Sequence, residues 1–302
     1  MTMRELAGIC VPICTPFDES GETLDEKALR DHIDSMLEAG VHIILVCGGT
    51  GEFPYLRGAE KRRIAEIAAR QIDGRAGFMI QTSAVNTADT IEASKHAQDV
   101  GADAIMVLPP YFEGPERRGV IYHYEAVARA VDLPIMVYNI PQSTTIDITP
   151  ELYADLLEID NIRSIKDSTG SLIRIQQLVA TGGMVFNGAD PIAFAALLAG
   201  CAGCVWGAVN AMPTEAVKLY DLVGSADLNG AREVWQRMLP AQLFFWTHFY
   251  NAAVKQATNL SGRRVGPCRK PVQPLTAEER NDLIRALEPL GIGAARTTRI
   301  AV

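Results

Sequence analysis

Short, continuous apolar runs alternate with longer segments whose apolar residues recur at helical spacing. The runs lie at 9–13, 42–47, 78–81, 104–108, 135–139, 162–166, 184–187 and 203–206. Between them, helix signals recur. Thr23-Leu24-Asp25-Glu26 reads as a capping box before a helix over 27–39. A segment over 58–70 is apolar at Ile64, Ile67 and Ala68. Thr87 is expected to cap a helix over 87–100 that Gly101 ends. Further helices are expected over 116–130, after Thr149-Pro150, and over 171–180, 190–199 and 214–223. Runs that are apolar throughout, each followed by a helix, imply a parallel sheet covered on both faces. Eight such units within residues 1–225 predict an α/β fold, a (β/α)8 TIM barrel. An open doubly wound sheet is the alternative, but no G-x-G-x-x-G follows any run.

Past residue 225 the rhythm stops. The sequence therefore divides into a catalytic barrel over 1–225 and a C-terminal helical region over 226–302. Residues 229–257 read as one long helix that Pro240 is expected to break. A final helix over 278–287 is capped by Thr276. Trp235, Phe244, Phe245, Trp246, Phe249 and Tyr250 form an aromatic stripe, read as packing or a subunit contact rather than a ligand site.

Composition narrows the class. In 302 residues, 48% hydrophobic and 21% charged content is globular, and a net charge of −8 disfavours nucleic acid or an anionic membrane as partner. Residues 192–209 carry no charge, but Gly200, Gly203 and Gly207 punctuate them, so a buried helix and strand are expected rather than a membrane span. Residues 1–8 lack an apolar signal core, which points to the cytoplasm. Cys201 and Cys204 have C-x-x-C spacing without a second pair, and the six cysteines read as small buried residues.

The chemistry is sought where strands end, because a barrel of this type carries its site there. Of seven lysines, only Lys166 terminates an apolar run, while Lys255 falls in a helical polar pattern. Burying an ammonium is costly, and a neutral amine in a pocket is what a Schiff-base enzyme needs. A lysine that snorkels, or pairs with Asp167, is the plainer alternative. Tyr138 ends the preceding run and can reach Lys166 with a proton-shuttling phenol. Gly48, Gly49 and Gly51 allow close backbone approach to a carboxylate, and Thr50 adds a hydroxyl. A mere tight turn is the alternative for the glycines. His32, His96, His123 and His248 fall in helical segments and His42 starts a run, so no histidine is expected at the site, and no cluster suggests a metal.

Gly48-Gly49-Thr50-Gly51-Glu52, Tyr138-Asn139-Ile140-Pro141 and Ile165-Lys166-Asp167 resemble, in order and spacing, the three signatures of the dihydrodipicolinate synthase and N-acetylneuraminate lyase family. Thr15-Pro16-Phe17 and Val265-Gly266-Pro267 extend the likeness over the whole chain. The resemblance implies a barrel with a C-terminal helical extension, assembled as a homotetramer, and a mechanism without metal or cofactor. It implies that Lys166 forms a Schiff base with a 2-oxo acid such as pyruvate. Gly49 and Thr50 would hold the carboxylate, Tyr138 would relay protons, and Gly188 would line the site. Departures bear on the substrate. The lysine-biosynthesis enzyme of the family has an arginine at the position of Ser143, Thr-Thr at Gly49-Thr50, and a second tyrosine, contributed across the dimer, at the position of Phe112, next to Tyr111. Residues 48–53 and 108–111 look more like the sugar-acid dehydratases, such as 5-dehydro-4-deoxyglucarate dehydratase. The expected function is a Schiff-base lyase, either a pyruvate-type aldolase or a 2-keto-3-deoxy sugar-acid dehydratase. Phe53, Tyr55, Tyr111, Phe112, Gln142 and Ser143 would sort substrates. The alternatives are a 4-hydroxy-tetrahydrodipicolinate synthase, joining pyruvate to aspartate semialdehyde, and a non-catalytic 2-oxo acid-binding barrel.

Overall fold

A computed structural model describes residues 6–293. The outer ends of the segments 1–8 and 226–302 read above lie outside the described residues. Eight parallel strands close in sequence order: β1 (Gly8–Pro12), β2 (Ile43–Val46), β3 (Gly77–Gln81), β4 (Ala104–Val107), β5 (Ile135–Asn139), β6 (Ile162–Asp167), β7 (Met184–Asn187) and β8 (Gly203–Val205), with β8 paired to β1. All eight expected strands are present. Their uninterrupted apolar character has a physical cause. One set of side chains, including Leu45, Met79, Met106, Met136 and Phe186, fills the barrel. The alternate set, including Ile44, Val46, Ile105, Val137 and Ile165, packs outward under the helices.

The helices are α1 (Glu26–Glu38), α2 (Gly58–Ile72), α3 (Thr87–Asp99), α4 (Arg117–Ala128), the short α5 (Pro141–Thr144), α6 (Pro150–Leu157), α7 (Leu172–Val179), α8 (Ala193–Leu198), α9 (Pro213–Gly224), α10 (Leu228–Thr247), α11 (Tyr250–Leu260) and α12 (Ala277–Leu287). Two caps differ from expectation. Asp25, not Thr23, accepts the Ala28 N–H, because Thr23 is engaged in a small hairpin where its carbonyl accepts from Asp18. Asn86, not Thr87, caps α3 by accepting the Asp89 N–H. The run 192–209 resolves into α8 and β8, and no helix among the described residues is long and apolar enough to cross a membrane. The cysteines are free, and all but Cys268 are buried.

Pro240 does not break its helix. α10 continues through it and ends at Thr247. Pro240 and Gln236, whose carbonyl loses its donor, both belong to exposed positions, so water can serve that carbonyl. The break comes instead at His248–Phe249, where the backbone turns extended. The C-terminal helices do not form a core of their own. Phe245, Val254 and Leu283 share one apolar cluster with Ile9 and Val11 of β1. Buried Trp206, just past β8, donates its indole N–H to Gln242 of α10 at 3.0 Å.

Candidate active site

β5 and β6 pair with Tyr138 opposite Lys166. Both side chains therefore point into the barrel mouth, and the Lys166 Nζ sits 3.9 Å from the centroid of the Tyr138 ring. Lys166 is 6% exposed. Its neighbour Asp167 points the other way, as strand alternation requires. The Asp167 carboxylate accepts from Thr169 and Asn139, so it is not the partner of Lys166. Burial pushes the Asp167 carboxyl above its ordinary range, against these hydrogen bonds. Asn139 in turn donates to Asp147, which a two-pronged Arg174 contact at 2.6 and 2.8 Å fixes in place.

The glycine turn after β2 faces this pair. A Cβ on Gly49 would lie 4.0 Å from the Tyr138 hydroxyl, so the phenol reaches from the lysine to the turn. Among the described residues, the N–H groups of Gly49 and Thr50 have no backbone acceptor, whereas the Gly49 carbonyl is taken by Asn251 at 3.0 Å. The turn thus presents free donors to the cavity. Gly188 is required by close packing: a Cβ there would meet the Lys166 Cε at 2.7 Å and the Ser168 Oγ at 2.2 Å. Gly207 is required likewise, by the Tyr250 hydroxyl at 2.3 Å and the Thr50 Oγ1 at 2.6 Å.

A cavity of about 540 Å³ joins these groups, a size suited to a small molecule. Lys166, Tyr138, Gly49, Thr50 and Gly188 all line it. Its far wall was not anticipated. Asp190, 3% exposed, accepts from the Tyr250 hydroxyl at 2.8 Å. Burial pushes the Asp190 carboxyl up to about 7, although Tyr250 and Lys166 both favour its charged form. Tyr250 is pushed well up by burial and by the nearby Asp190. Phe245, Trp246, His248 and Asn251 complete the wall. The aromatic stripe is therefore divided. Trp235 packs near Trp206 and Phe194, but Phe245, Trp246 and Tyr250 face the cavity. His248 also departs from expectation: the α10–α11 break frees it from helix, and it stacks on Phe244 at 3.8 Å with its Nδ1 2.8 Å from the Phe244 carbonyl. Asp190 opens the segment 190–199 expected to be helical, and nothing in that pattern turns its side chain toward the cavity. The α10–α11 residues stand out in the sequence only as an aromatic stripe, and their place at the cavity depends on a break that no local residue marks.

Five of the residues expected to sort substrates do not line this cavity: Phe53, Tyr55, Tyr111, Phe112 and Ser143. Tyr111 packs edge-on against Phe53 at 6.3 Å, Phe112 is 82% exposed with φ +82°, and Ser143 is exposed in α5. Gln142 does line it, held by donation to the Ser168 carbonyl at 2.8 Å. Among the described residues no group of three His, Cys, Asp or Glu is placed to hold a metal. The chemical equipment is an amine, a phenol, a carboxyl that titrates near neutrality and unpaired backbone donors. That set suits carbonyl chemistry on an anionic substrate.

Known proteins share this arrangement of chain. The model of the dihydrodipicolinate synthetase family matches residues 5–290. A 4-hydroxy-tetrahydrodipicolinate synthase of Syntrophobacter fumaroxidans is 34% identical over 291 residues, spanning 94% of this chain and 99% of that protein. The solved structure of the chloride-inhibited dihydrodipicolinate synthase from Acinetobacter baumannii, complexed with pyruvate, is 30% identical with a TM-score of 0.91, covering 95% of this chain and 100% of that one. YagE, a prophage protein of the dihydrodipicolinic acid synthase family from E. coli K12, also solved with pyruvate, is 32% identical with a TM-score of 0.90, covering 95% and 99%.

Proposed function

The chain belongs to the dihydrodipicolinate synthetase family and is a lyase, and from this premise we propose that it acts on a 2-oxo acid through a Schiff base at Lys166. The observation that carries the reading is the Lys166–Tyr138 pair facing one cavity with the free N–H groups of Gly49 and Thr50. The amine attacks the C2 carbonyl and water leaves, giving an iminium that accepts electrons from C3. With the carboxylate held at Gly49–Thr50, Tyr138 moves the protons. The iminium then drives either cleavage of the C3–C4 bond, with loss of the C4 hydroxyl proton, or loss of a C3 proton and the C4 hydroxide. Thr50 and Gly188 set how closely the substrate approaches Lys166.

The far wall supports a hydroxylated chain beyond C4. Asp190, Tyr250 and His248 offer hydrogen bonds to sugar hydroxyls, and Trp246 a surface for their carbon chain. A 2-keto-3-deoxy sugar acid fits these groups, as substrate of an aldolase or a dehydratase. No arginine or lysine besides Lys166 lines the cavity among the described residues. A second carboxylate, such as that of aspartate semialdehyde, would face Asp190 instead. The name of the Syntrophobacter relative favours the second reading, a 4-hydroxy-tetrahydrodipicolinate synthase. Tyr111, Phe112 and Ser143 are proposed to act at the rim. Exposed apolar side chains at Val85, Phe112, Tyr122, Ile173 and Leu198 are of the kind that subunit contacts cover, in keeping with a proposed cytoplasmic homotetramer.

Borohydride reduction in the presence of pyruvate tests the central claim. The protein gains a reduced pyruvyl adduct and Lys166→Ala does not; an adduct on Lys166→Ala, or none on the unmodified protein, overturns the reading. A panel of 2-keto-3-deoxy sugar acids, assayed for pyruvate release and for dehydration beside aspartate semialdehyde, separates the two substrate classes.

A further inference from the structure

Behind the barrel wall, α1 and the turn that follows α11 enclose a second cleft of about 300 Å³. His32, Ser35, Arg263 and Arg264 line it, with Asp25, Lys27 and Asp31. The charges do not cancel evenly. Asp25 is occupied in capping α1, and Asp31 is held by Lys27 at 2.5 Å. Arg263 and Arg264 make no ion pair among the described residues, although Glu215 acts on Arg263 through space. The Arg263 Nη1 donates to Ser261 at 2.9 Å and toward the Ala211 carbonyl at 3.4 Å, but its buried Nε–H has no partner.

His32 supplies the second observation. It is 3% exposed, and its Nε2 lies 2.8 Å from the Asn210 Oδ1. The Asn210 amide orientation is set, since its Nδ2 donates to the Pro12 carbonyl at 3.0 Å and the Gly207 carbonyl at 2.8 Å. The Oδ1 therefore accepts, and His32 must carry its proton on Nε2. Burial depresses the imidazole to about 4, so it is neutral at neutral pH and its Nδ1 is a lone-pair acceptor. That Nδ1 is buried with no partner. The cleft is thus lined by a histidine with an unused acceptor and an arginine with an unused guanidinium donor, beside a second guanidinium at Arg264.

We propose that this cleft is a second ligand site for a small oxyanion that keeps an O–H of its own, whether a hydrogenphosphate or a hydroxycarboxylate. The O–H donates to His32 Nδ1, and the anionic oxygens accept from Arg263 Nε and Arg264. The site is coupled to the cavity of Lys166, because the Asn210 that holds His32 also holds Pro12 and Gly207, both of which line that cavity. An occupant that shifts His32 is felt at the catalytic wall.

The test is calorimetric titration of the full chain at neutral pH with inorganic phosphate, sulfate and glycerate, with and without saturating pyruvate. Phosphate keeps an O–H there and sulfate does not. The expected result is binding of phosphate or glycerate that persists at saturating pyruvate with its affinity shifted at least twofold, and with sulfate at least tenfold weaker. The phosphate and glycerate arms separate the two sources of the anion. Arg263→Met weakens the bound probe at least tenfold, and His32→Phe removes the preference over sulfate. In the borohydride assay, the saturating probe changes the pyruvate concentration for half-maximal adduct by at least twofold. Sulfate binding as tightly as phosphate, no binding of either proton-bearing probe, or competition by pyruvate overturns the site. These three readings need no variant to fold. An unchanged pyruvate dependence overturns the coupling.

Discussion

Asp190 is the residue whose surroundings most alter its ordinary chemistry. A carboxylate deprived of water gains a proton unless partners replace the lost solvation, and here one tyrosine and a nearby lysine do so only partly. Its carboxyl, raised to about 7, gives a signed prediction. Between the ordinary carboxylate range and pH 7, the folded chain holds a proton that the unfolded chain has released. The stability contributed by neutral Asp190 is therefore full in acid and is lost as the pH rises toward 7. Urea unfolding at pH 5 and pH 8 should show the unmodified protein losing on the order of 2 kcal/mol more than Asp190→Asn, whose amide does not titrate. Equal losses would mean that Asp190 is ionised throughout. At this scale the sequence was informative where a residue's role follows from its place on a strand. Lys166 and Tyr138 were legible because alternation and strand ends determine which way they point, whereas Gly188 was legible only through the family resemblance. Lys255 was not: its helical pattern reads as polar, yet it is 2% exposed.

The turn over 48–52 is held as an element by that buried lysine. Lys255 Nζ lies 2.7 Å from the Glu52 Oε1, off the line of a directed hydrogen bond, and donates to the Pro267 carbonyl at 2.7 Å. The other Glu52 oxygen accepts the Arg269 N–H at 2.8 Å. Arg269 also pairs with Glu60 of α2, and Lys255 and Arg269 both stack on Phe17. These contacts hold Glu52 in the left-handed region at φ +62° and so set the carbonyls and N–H groups of the turn. Lys255→Met leaves Glu52 buried without its counter-charge, and should cost about 3–5 kcal/mol in urea unfolding. Adding Glu52→Gln should recover part of that loss. A single-variant cost within about 1 kcal/mol would show that the pair is not what clamps the turn. Glu52 was visible in the sequence only as the last member of a motif, because its partner lies about 200 residues further on, in α11.

On the scale of the whole molecule, the helices after residue 225 complete the barrel rather than hang from it. α10 and α11 supply one wall of the cavity and share the apolar cluster under the strands. A chain ending at Ser225 loses the cover over Trp206 and the partners of Phe245 and Val254, so it should aggregate or unfold without a cooperative transition. Recovery of a cooperatively unfolding barrel that still traps pyruvate would show instead that 1–225 is self-sufficient. The sequence by itself determined the eight-strand order, the identity of the strand-end lysine and its phenol, and the glycine turn. Each follows from local periodicity or from a motif a few residues long. Only the tertiary structure decided that Pro240 is tolerated, that the chain breaks at His248 instead, and that Asp190, Tyr250 and Trp246 close the site. Those outcomes depend on which face of α10 meets the barrel and which meets water, and hydrophobic period alone does not say what a helix will pack against.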